Sequence, residues 1–183
     1  MTGFETSLRQ APIVDRNGYR YVVHPITDGI PSIEPELLEE VAERMETLLP
    51  ACDRIVTTEA MGIPIAAALS LRTGIPFTVI RKRCYGMPGE VSVEQVTGYS
   101  SSELFINGLR EGDEVVLVDD VVSTGGTLTA VVAALQNMDV SVKKILVAVG
   151  KGDLPAIEKK VGMPIHTLVD IAVNDDVEIK AGH

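Results

Sequence analysis

Residues 115–128 read VVLVDDVVSTGGTL, with two adjacent carboxylates, Asp119 and Asp120, at the end of an apolar run. Two valines later come Ser123, Thr124, Gly125, Gly126 and Thr127, which open a helical pattern. Backbone N–H groups at a helix start have no intrahelical partners and suit a dianionic phosphate, to which the Thr124 and Thr127 hydroxyls add donors. No lysine follows the glycines, so this is not a Walker A loop, and the spacing is not GxGxxG. Two acids would repel a phosphate in their own position. Set back from it they suit hydrogen-bond donors, which a vicinal diol supplies, so ribose 5-phosphate fits the whole loop. The plainer reading is a strand that ends in two acids before a flexible turn. Paired acids at a buried strand end are costly without partners, which weighs against it.

These residues must be held by a frame. DRIVTTE reads as a short buried strand, and GIPIAAALSLRTG as a helix closed by Gly74. IPFTVIRK and DEVVLVDD read as strands, the latter ending at Asp119 and Asp120. A helix follows from near Gly126, GGTLTAVVAALQNM, and then a fourth strand, KKILVAVG. Strands apolar on both faces and separated by helices imply an α/β fold with a mainly parallel sheet covered on both sides, and ligands then bind beyond the carboxyl ends of the strands. Upstream, YRYVVHP reads as a strand and EPELLEEVAERMETLL as an amphipathic helix with Pro35 in its first turn. Residues 86–108 carry glycines, Pro88 and hydroxyl side chains, and read as an excursion from the core, a mobile β-ribbon. LPAIEKKVGM reads as a short helix and IHTLVDIAV as the last strand.

The 183 residues suffice for one domain, 1–183, without a second core. Hydrophobic content of 45% and charged content of 23% are ordinary for a soluble protein, and no apolar run of about 18 residues would span a bilayer. The N-terminus, MTGFETSLRQAPIV, lacks the apolar core of a secretory signal, so the expected location is cytoplasmic. Cys52 and Cys84, without CxxC or histidine context, read as free thiols. A net charge of −10 disfavours nucleic-acid binding, and with no Trp and 4% aromatics no stacking platform for single strands is evident. An anionic small ligand stays compatible, because burial and geometry dominate at contact distance.

The strand, the two acids, the two apolar residues and the short phosphate loop together resemble the phosphoribosyl-pyrophosphate signature of type I phosphoribosyltransferases, and the resemblance extends over most of the chain. HPITDGIPSIEPELL, TTEAMGIPIAAALSL, IRKRCYGMPGEV and QVTGYSSSELFINGL resemble, in that order, stretches of the archaeal hypoxanthine phosphoribosyltransferase subgroup, relatives of the adenine and xanthine phosphoribosyltransferases. The resemblance implies a central mainly parallel sheet flanked by helices. It adds a small hood, from about 1–33 plus the C-terminal segment, and a flexible lid over about 86–108. The implied activity is purine salvage: transfer of the 5-phosphoribosyl group from phosphoribosyl pyrophosphate to hypoxanthine, and to guanine, giving IMP or GMP and pyrophosphate. The implied partners are the donor and a 6-oxopurine, with a homodimer as the common assembly.

Residue by residue, Asp119 and Asp120 take the ribose diol, and Ser123 to Thr127 its 5-phosphate. Glu59, Ala60, Met61 and Gly62 match the family's pyrophosphate loop. The bare sequence also shows a strand running into a glycine-containing turn and a helix, which is either an anion site or a plain connection. Arg81, Lys82 and Arg83 follow the next strand. They are either a solvated face or cations that neutralise the departing pyrophosphate, a role assigned to Arg81 and Lys82. Mg²⁺ enters as the donor's chelate, held mainly by substrate oxygens and water, so no direct protein ligand is assigned. Tyr99 and Ser100 of the lid could reach the ligand.

The sequence departs from its relatives where some place a base-side acid, at Ser123 and at Gly98. Asp28, Glu94 and Glu103 are the remaining candidates for a proton acceptor. A lysine at the position of Lys151 contacts the exocyclic oxygen in xanthine phosphoribosyltransferase, and an ammonium donor favours a 6-oxo acceptor over the amino group of adenine. PITDGIP resembles the hood over the base, making Asp28, Gly29 and Ile30 possible contacts, while His24 and His166 read as structural. Two alternatives remain: an adenine phosphoribosyltransferase, opposed by Lys151 and the missing lid glutamate, and a non-catalytic sensor of phosphoribosyl pyrophosphate, opposed by the absence of a basic face.

Overall fold

The computed structural model describes residues 2–16, 18–97 and 100–182. In chain order the first half comprises α1 (Gly3–Arg9), β1 (Ile13–Arg16), β2 (Tyr19–Val22), α2 (Pro25–Asp28), α3 (Pro35–Leu48), β3 (Arg54–Thr58), α4 (Gly62–Thr73) and β4 (Phe77–Ile80). There follow β5 (Val91–Thr97), β6 (Ser100–Ile106), β7 (Glu114–Val122), α5 (Gly126–Asn137), β8 (Ser141–Lys151), α6 (Leu154–Val161), β9 (His166–Val173) and β10 (Val177–Ala181). The central sheet runs β10-β9-β8-β7-β3-β4, parallel except for β10, and two antiparallel pairs, β1-β2 and β5-β6, stand beside it.

The reason the central strands are apolar on both faces is visible in β7. Val116 and Val118 pack with Met45, Ile65 and Leu69 of α3 and α4, whereas Val115 and Leu117 pack with Val131 and Leu135 of α5. The two-residue period of a strand sends alternate side chains into two separate cores. Gly74 closes α4 in the left-handed conformation, as its sequence position predicts.

Four features depart from the sequence reading. β7 continues past Asp119 and Asp120 to Val122, because Val121 and Val122 pair with Val149 and Gly150 of β8. IHTLVDIAV is not the last strand: β10 adds antiparallel to β9. The N-terminus folds as α1, capped reciprocally by Thr2 and Glu5, with Phe4 and Leu8 buried. Finally, only part of 86–108 leaves the core. Val93, Leu104 and Ile106 are buried beneath the β5-β6 hairpin, and Phe105 exchanges both backbone hydrogen bonds with Arg81, at 3.0 and 2.7 Å. No helix among the described residues is long and apolar enough to cross a membrane. Cys52 and Cys84 are free thiols.

Candidate functional site

The loops after β3, β4, β7 and β8 leave one edge of the sheet, where parallel strands all present their carboxyl ends. A cavity of about 270 Å³ opens there, walled by the β3–α4 turn, Lys82, Leu104, the two acids and residues 121–128. Asp119 is half-buried and Asp120 buried. Asp119 accepts from the Thr58 hydroxyl at 2.9 Å and from the Asp120 N–H at 3.0 Å. Burial raises the pKa of both, and for Asp120 the neighbouring Asp119 carboxylate raises it further.

The phosphate-type loop follows at once. Gly125 has φ 70° and caps α5, and a Cβ there would overlap Ile157 of α6, so only glycine allows the loop to lie this close. The first N–H groups of α5, from Gly126 onward, face this end of the helix, with Thr127 on the cavity wall.

At the β3–α4 turn, Glu59 and Ala60 line the same cavity and α4 starts at Gly62. A Cβ on Gly62 would overlap Thr57 Oγ1 and come within 2.8 Å of Asp119 Oδ1. This glycine therefore sets how closely α4 approaches the acids. The Glu59 carboxylate accepts from the Lys82 N–H at 3.1 Å and from Arg81 Nε at 2.9 Å, and these two donors hold its pKa below the usual range. The three cations thus separate. Lys82 lines the cavity, Arg81 is paired to Glu59 beside it, and Arg83 lies over the Tyr85 ring at 5.8 Å.

A second, apolar cavity of about 90 Å³ lies under the N-terminal segment, walled by Leu8, Tyr21, Val22, Val149 and Ile171, with Lys151 and Tyr19 at its polar edge. Ser123 lines both cavities, so they meet at the start of the phosphate-type loop.

The structure does not bring every expected residue to these cavities. Both Asp28 oxygens already accept hydrogen bonds, from the Tyr21 hydroxyl at 2.5 Å and from the His24 N–H and Thr27 hydroxyl at 3.0 and 2.7 Å. Asp28 therefore organises the N-terminal segment. Ile30 is 56% exposed and lines neither cavity, and Gly29 abuts Met61. Glu94 and Glu103 face each other across the hairpin and line neither cavity. Ser100 is placed by its pairing with Thr97, and Tyr99 lies outside the described residues. His24 is buried, its Nδ1 accepting from the Ile26 N–H at 3.2 Å. Burial lowers the pKa of half-buried His166.

Four residues went unnoticed in the sequence: Thr58 on Asp119, Leu104 on the cavity wall, Tyr19 against Lys151, and Glu90 at the hairpin base. Among the described residues no three His, Cys, Asp or Glu side chains converge as a metal cage. The donor set that exists, two desolvated acids whose charges repel, suits a cation brought in with substrate oxygens and water.

The model of the phosphoribosyl transferase domain matches residues 36–175. A hypoxanthine/guanine phosphoribosyltransferase of Methanothermobacter thermautotrophicus is 53% identical over 171 residues, covering 92% of this chain and 89% of that protein. One from Methanocaldococcus infernus is 51% identical over 174 residues, covering 93% and 95%. Among solved structures, an adenine phosphoribosyltransferase from Thermoanaerobacter pseudethanolicus superposes with TM-score 0.76 at 24% identity, over 91% of this chain and 99% of that one. The adenine phosphoribosyltransferase of Saccharomyces cerevisiae, solved with adenine, gives 0.74 at 21% identity, over 90% and 98%. At these identities the two structures establish the fold alone.

Proposed function

The chain belongs to the phosphoribosyl transferase domain family, and on that premise we propose that it transfers the 5-phosphoribosyl group of phosphoribosyl pyrophosphate to hypoxanthine, and to guanine, forming IMP or GMP and releasing pyrophosphate. The observation that carries the reading is the meeting at Ser123 of two unlike cavities. One has acids and helix-start amides for a sugar phosphate. The other is apolar, with a lysine at its edge, and suits a planar base. The names borne by relatives at about half identity agree with it.

In this reading Asp119 and Asp120 accept hydrogen bonds from the ribose diol, and residues 123–127 hold the 5-phosphate. Residues 59–62 present backbone amides to pyrophosphate, and Lys82 supplies the nearest positive charge. Arg81, tethered to Glu59, reaches the same anion from the side through guanidinium N–H groups that the tether leaves available. A purine nitrogen forms a bond to C1 of the ribose as the C1–O bond to pyrophosphate breaks, the bonding pair leaves on the pyrophosphate oxygen, and the proton given up by the nitrogen goes with pyrophosphate to solvent. Cationic character on the sugar is stabilised by the two carboxylates once they are ionised.

Mg²⁺ supplies charge neutralisation of the pyrophosphate, and Asp119 and Asp120 are the residues beside which it would be held. The β5-β6 hairpin excludes water from the reacting carbon, which would otherwise be hydrolysed. The N-terminal segment covers the base. Lys151 donates to the 6-oxo group. A cytoplasmic homodimer completes the reading, with sedimentation of the pure protein as its check.

The deciding experiment incubates the protein with Mg²⁺, phosphoribosyl pyrophosphate and each purine separately, and resolves the products. IMP and GMP are expected. Formation of AMP alone would reject the 6-oxopurine assignment, and donor binding without turnover of any base would leave a sensor.

A further inference from the structure

Lys151 does not stand alone. It ends β8, and its side chain crosses to β2, where Nζ donates to the Tyr19 hydroxyl at 2.5 Å and to the Arg20 carbonyl at 3.4 Å and sits 4.3 Å from the Tyr19 ring centroid. An ammonium has three donors, so this geometry leaves one for a ligand. Ser123, at the start of the phosphate-type loop, lines the apolar cavity together with this pair. Tyr19 also lines the apolar cavity and, on its other side, a more open recess of about 580 Å³ that contains Asp170 and Lys180. The Tyr19–Lys151 pair is therefore the partition between the two spaces, and Ser123 borders both of them. An unrestrained lysine would swing into the open recess, because its long side chain holds many rotamers of similar energy.

We propose that Tyr19 is a specificity-positioning residue: its hydroxyl and ring hold the Lys151 ammonium at the edge of the apolar cavity, so that the one remaining N–H meets a base with an oxygen acceptor at position 6. The proposal rests on the base-recognition role of Lys151 given above. It makes a tyrosine of the N-terminal segment, 132 residues away in sequence, part of the choice between 6-oxo and 6-amino purines. An amino group at that position would face a fixed ammonium with donors on both sides and no acceptor between them. Because Ser123 lines the same cavity, the positioning device adjoins the loop that holds the sugar phosphate in the proposed reading.

The test compares Y19F, which keeps the ring and removes the acceptor, Y19L, which removes both, and K151M. Steady-state kinetics with hypoxanthine and with adenine are measured at saturating donor, and donor KM is measured separately. Y19F is expected to raise KM for hypoxanthine about tenfold, with kcat and donor KM within about twofold of the parent and a reduced hypoxanthine-to-adenine ratio in kcat/KM. Y19L should go further in the same direction. An unchanged hypoxanthine KM in both Tyr19 variants overturns the proposal, as does an equal rise in base and donor KM, which would indicate a merely structural role. If K151M lowers the hypoxanthine-to-adenine ratio while Y19F and Y19L keep it, Tyr19 is excluded and the Lys151 reading survives. If K151M leaves hypoxanthine KM and the ratio intact, both fail.

Discussion

The backbone N–H of Asp120 donates to Asp119 Oδ1 at 3.0 Å, so two carboxyl groups of adjacent residues share one desolvated corner. Burial raises both pKa values, and the repulsion of Asp119 adds to that of Asp120. Near neutral pH the free pair therefore retains a proton, which the Mg²⁺ brought in with the donor should displace. Calorimetric titration with the donor and Mg²⁺ in buffers of different ionisation enthalpy should show proton release, and Asp120→Asn should abolish it. Donor affinity should rise with pH through the raised pKa. A heat of binding independent of buffer would contradict the shared proton.

The same pair costs stability. A carboxyl whose folded pKa exceeds its unfolded value binds more protons in the folded state within that interval, so stability falls as pH rises above about 4. Asp120→Asn removes the ionisation and should gain about 1 kcal/mol or more at pH 8, roughly 2–4 °C in Tm. The gain should shrink at pH 5, while turnover with every base is lost. Melting curves at both pH values decide it, and an equal gain at each would refute the account.

Gly62 keeps α4 close to Asp119. Its Cβ would meet Thr57 Oγ1, Asp119 Oδ1 and, at 3.2 Å, the Val118 carbonyl, which cannot move independently of β7. Gly62→Ala should cost about 1–3 kcal/mol in urea unfolding, the usual range for overpacking. It should also raise donor KM more than base KM, since the displaced group is Asp119. A variant with normal stability and donor KM would show that the turn has slack.

His24 caps α2 through Nδ1, so its proton sits on Nε2 facing the Ser7 hydroxyl at 2.9 Å, and Ser7 in turn donates to the Phe4 carbonyl at 2.8 Å. Burial lowers its pKa to about 4, against about 6.5 unfolded. Below pH 6.5 the unfolded chain takes up the proton first, and stability falls by about 2–3 kcal/mol as pH approaches 4. His24→Asn keeps a capping acceptor without the titration, so its Tm should decline less between pH 7 and pH 4.5. Parallel declines would remove His24 from the explanation.

Glu90 gathers the root of the hairpin. Its carboxylate accepts from Asn107 Nδ2 at 2.7 Å, from the Tyr85 and Gly86 N–H groups at 3.0 Å each, and from the Cys84 thiol at 2.9 Å. These donors lower its pKa to about 2, with Asn107 the largest influence, and it raises the Cys84 thiol. Cys84, although exposed, should therefore be alkylated slowly at pH 7.5, and Glu90→Gln should speed the reaction severalfold. Mass spectrometry of the Cys84 peptide measures it, and an unchanged rate would place the thiol's control elsewhere.

The strand–loop–helix around Asp119 to Thr127 was legible because local sequence dictates it: a continuous apolar run, paired acids, then a pair of glycines, the first of which, Gly125, lies where the backbone approaches Ile157. Features built from distant pieces were not. Tyr19 reads as an ordinary strand aromatic until the fold brings Lys151 across to it. Glu90 reads as a surface acid in a turn, since its four partners come from both sides of the hairpin. β10 is short and follows Asn174, Asp175 and Asp176, a turn-rich run that hides an edge strand. By contrast α1 carried a usable signal in Thr2 and Glu5, the spacing of a capping box. Arg81 shows the limit in the other direction: its position after β4 was evident, and its capture by Glu59 was not.

The paired backbone hydrogen bonds between Arg81 and Phe105, with Val93 and Leu104 buried beside them, make the hairpin a cantilever. Beyond the clamp, four cross-strand pairs from Glu94–Glu103 to Thr97–Ser100 form the overhang, roughly 14 Å at the ordinary rise per residue. Reach is thus set by ribbon length alone. Removing one cross-strand pair shortens it by about 3.4 Å without touching the sheet, the acids or the phosphate loop. If the hairpin shields the reacting carbon as proposed, its length tunes that shielding and leaves the positions of the acids and the loop unchanged.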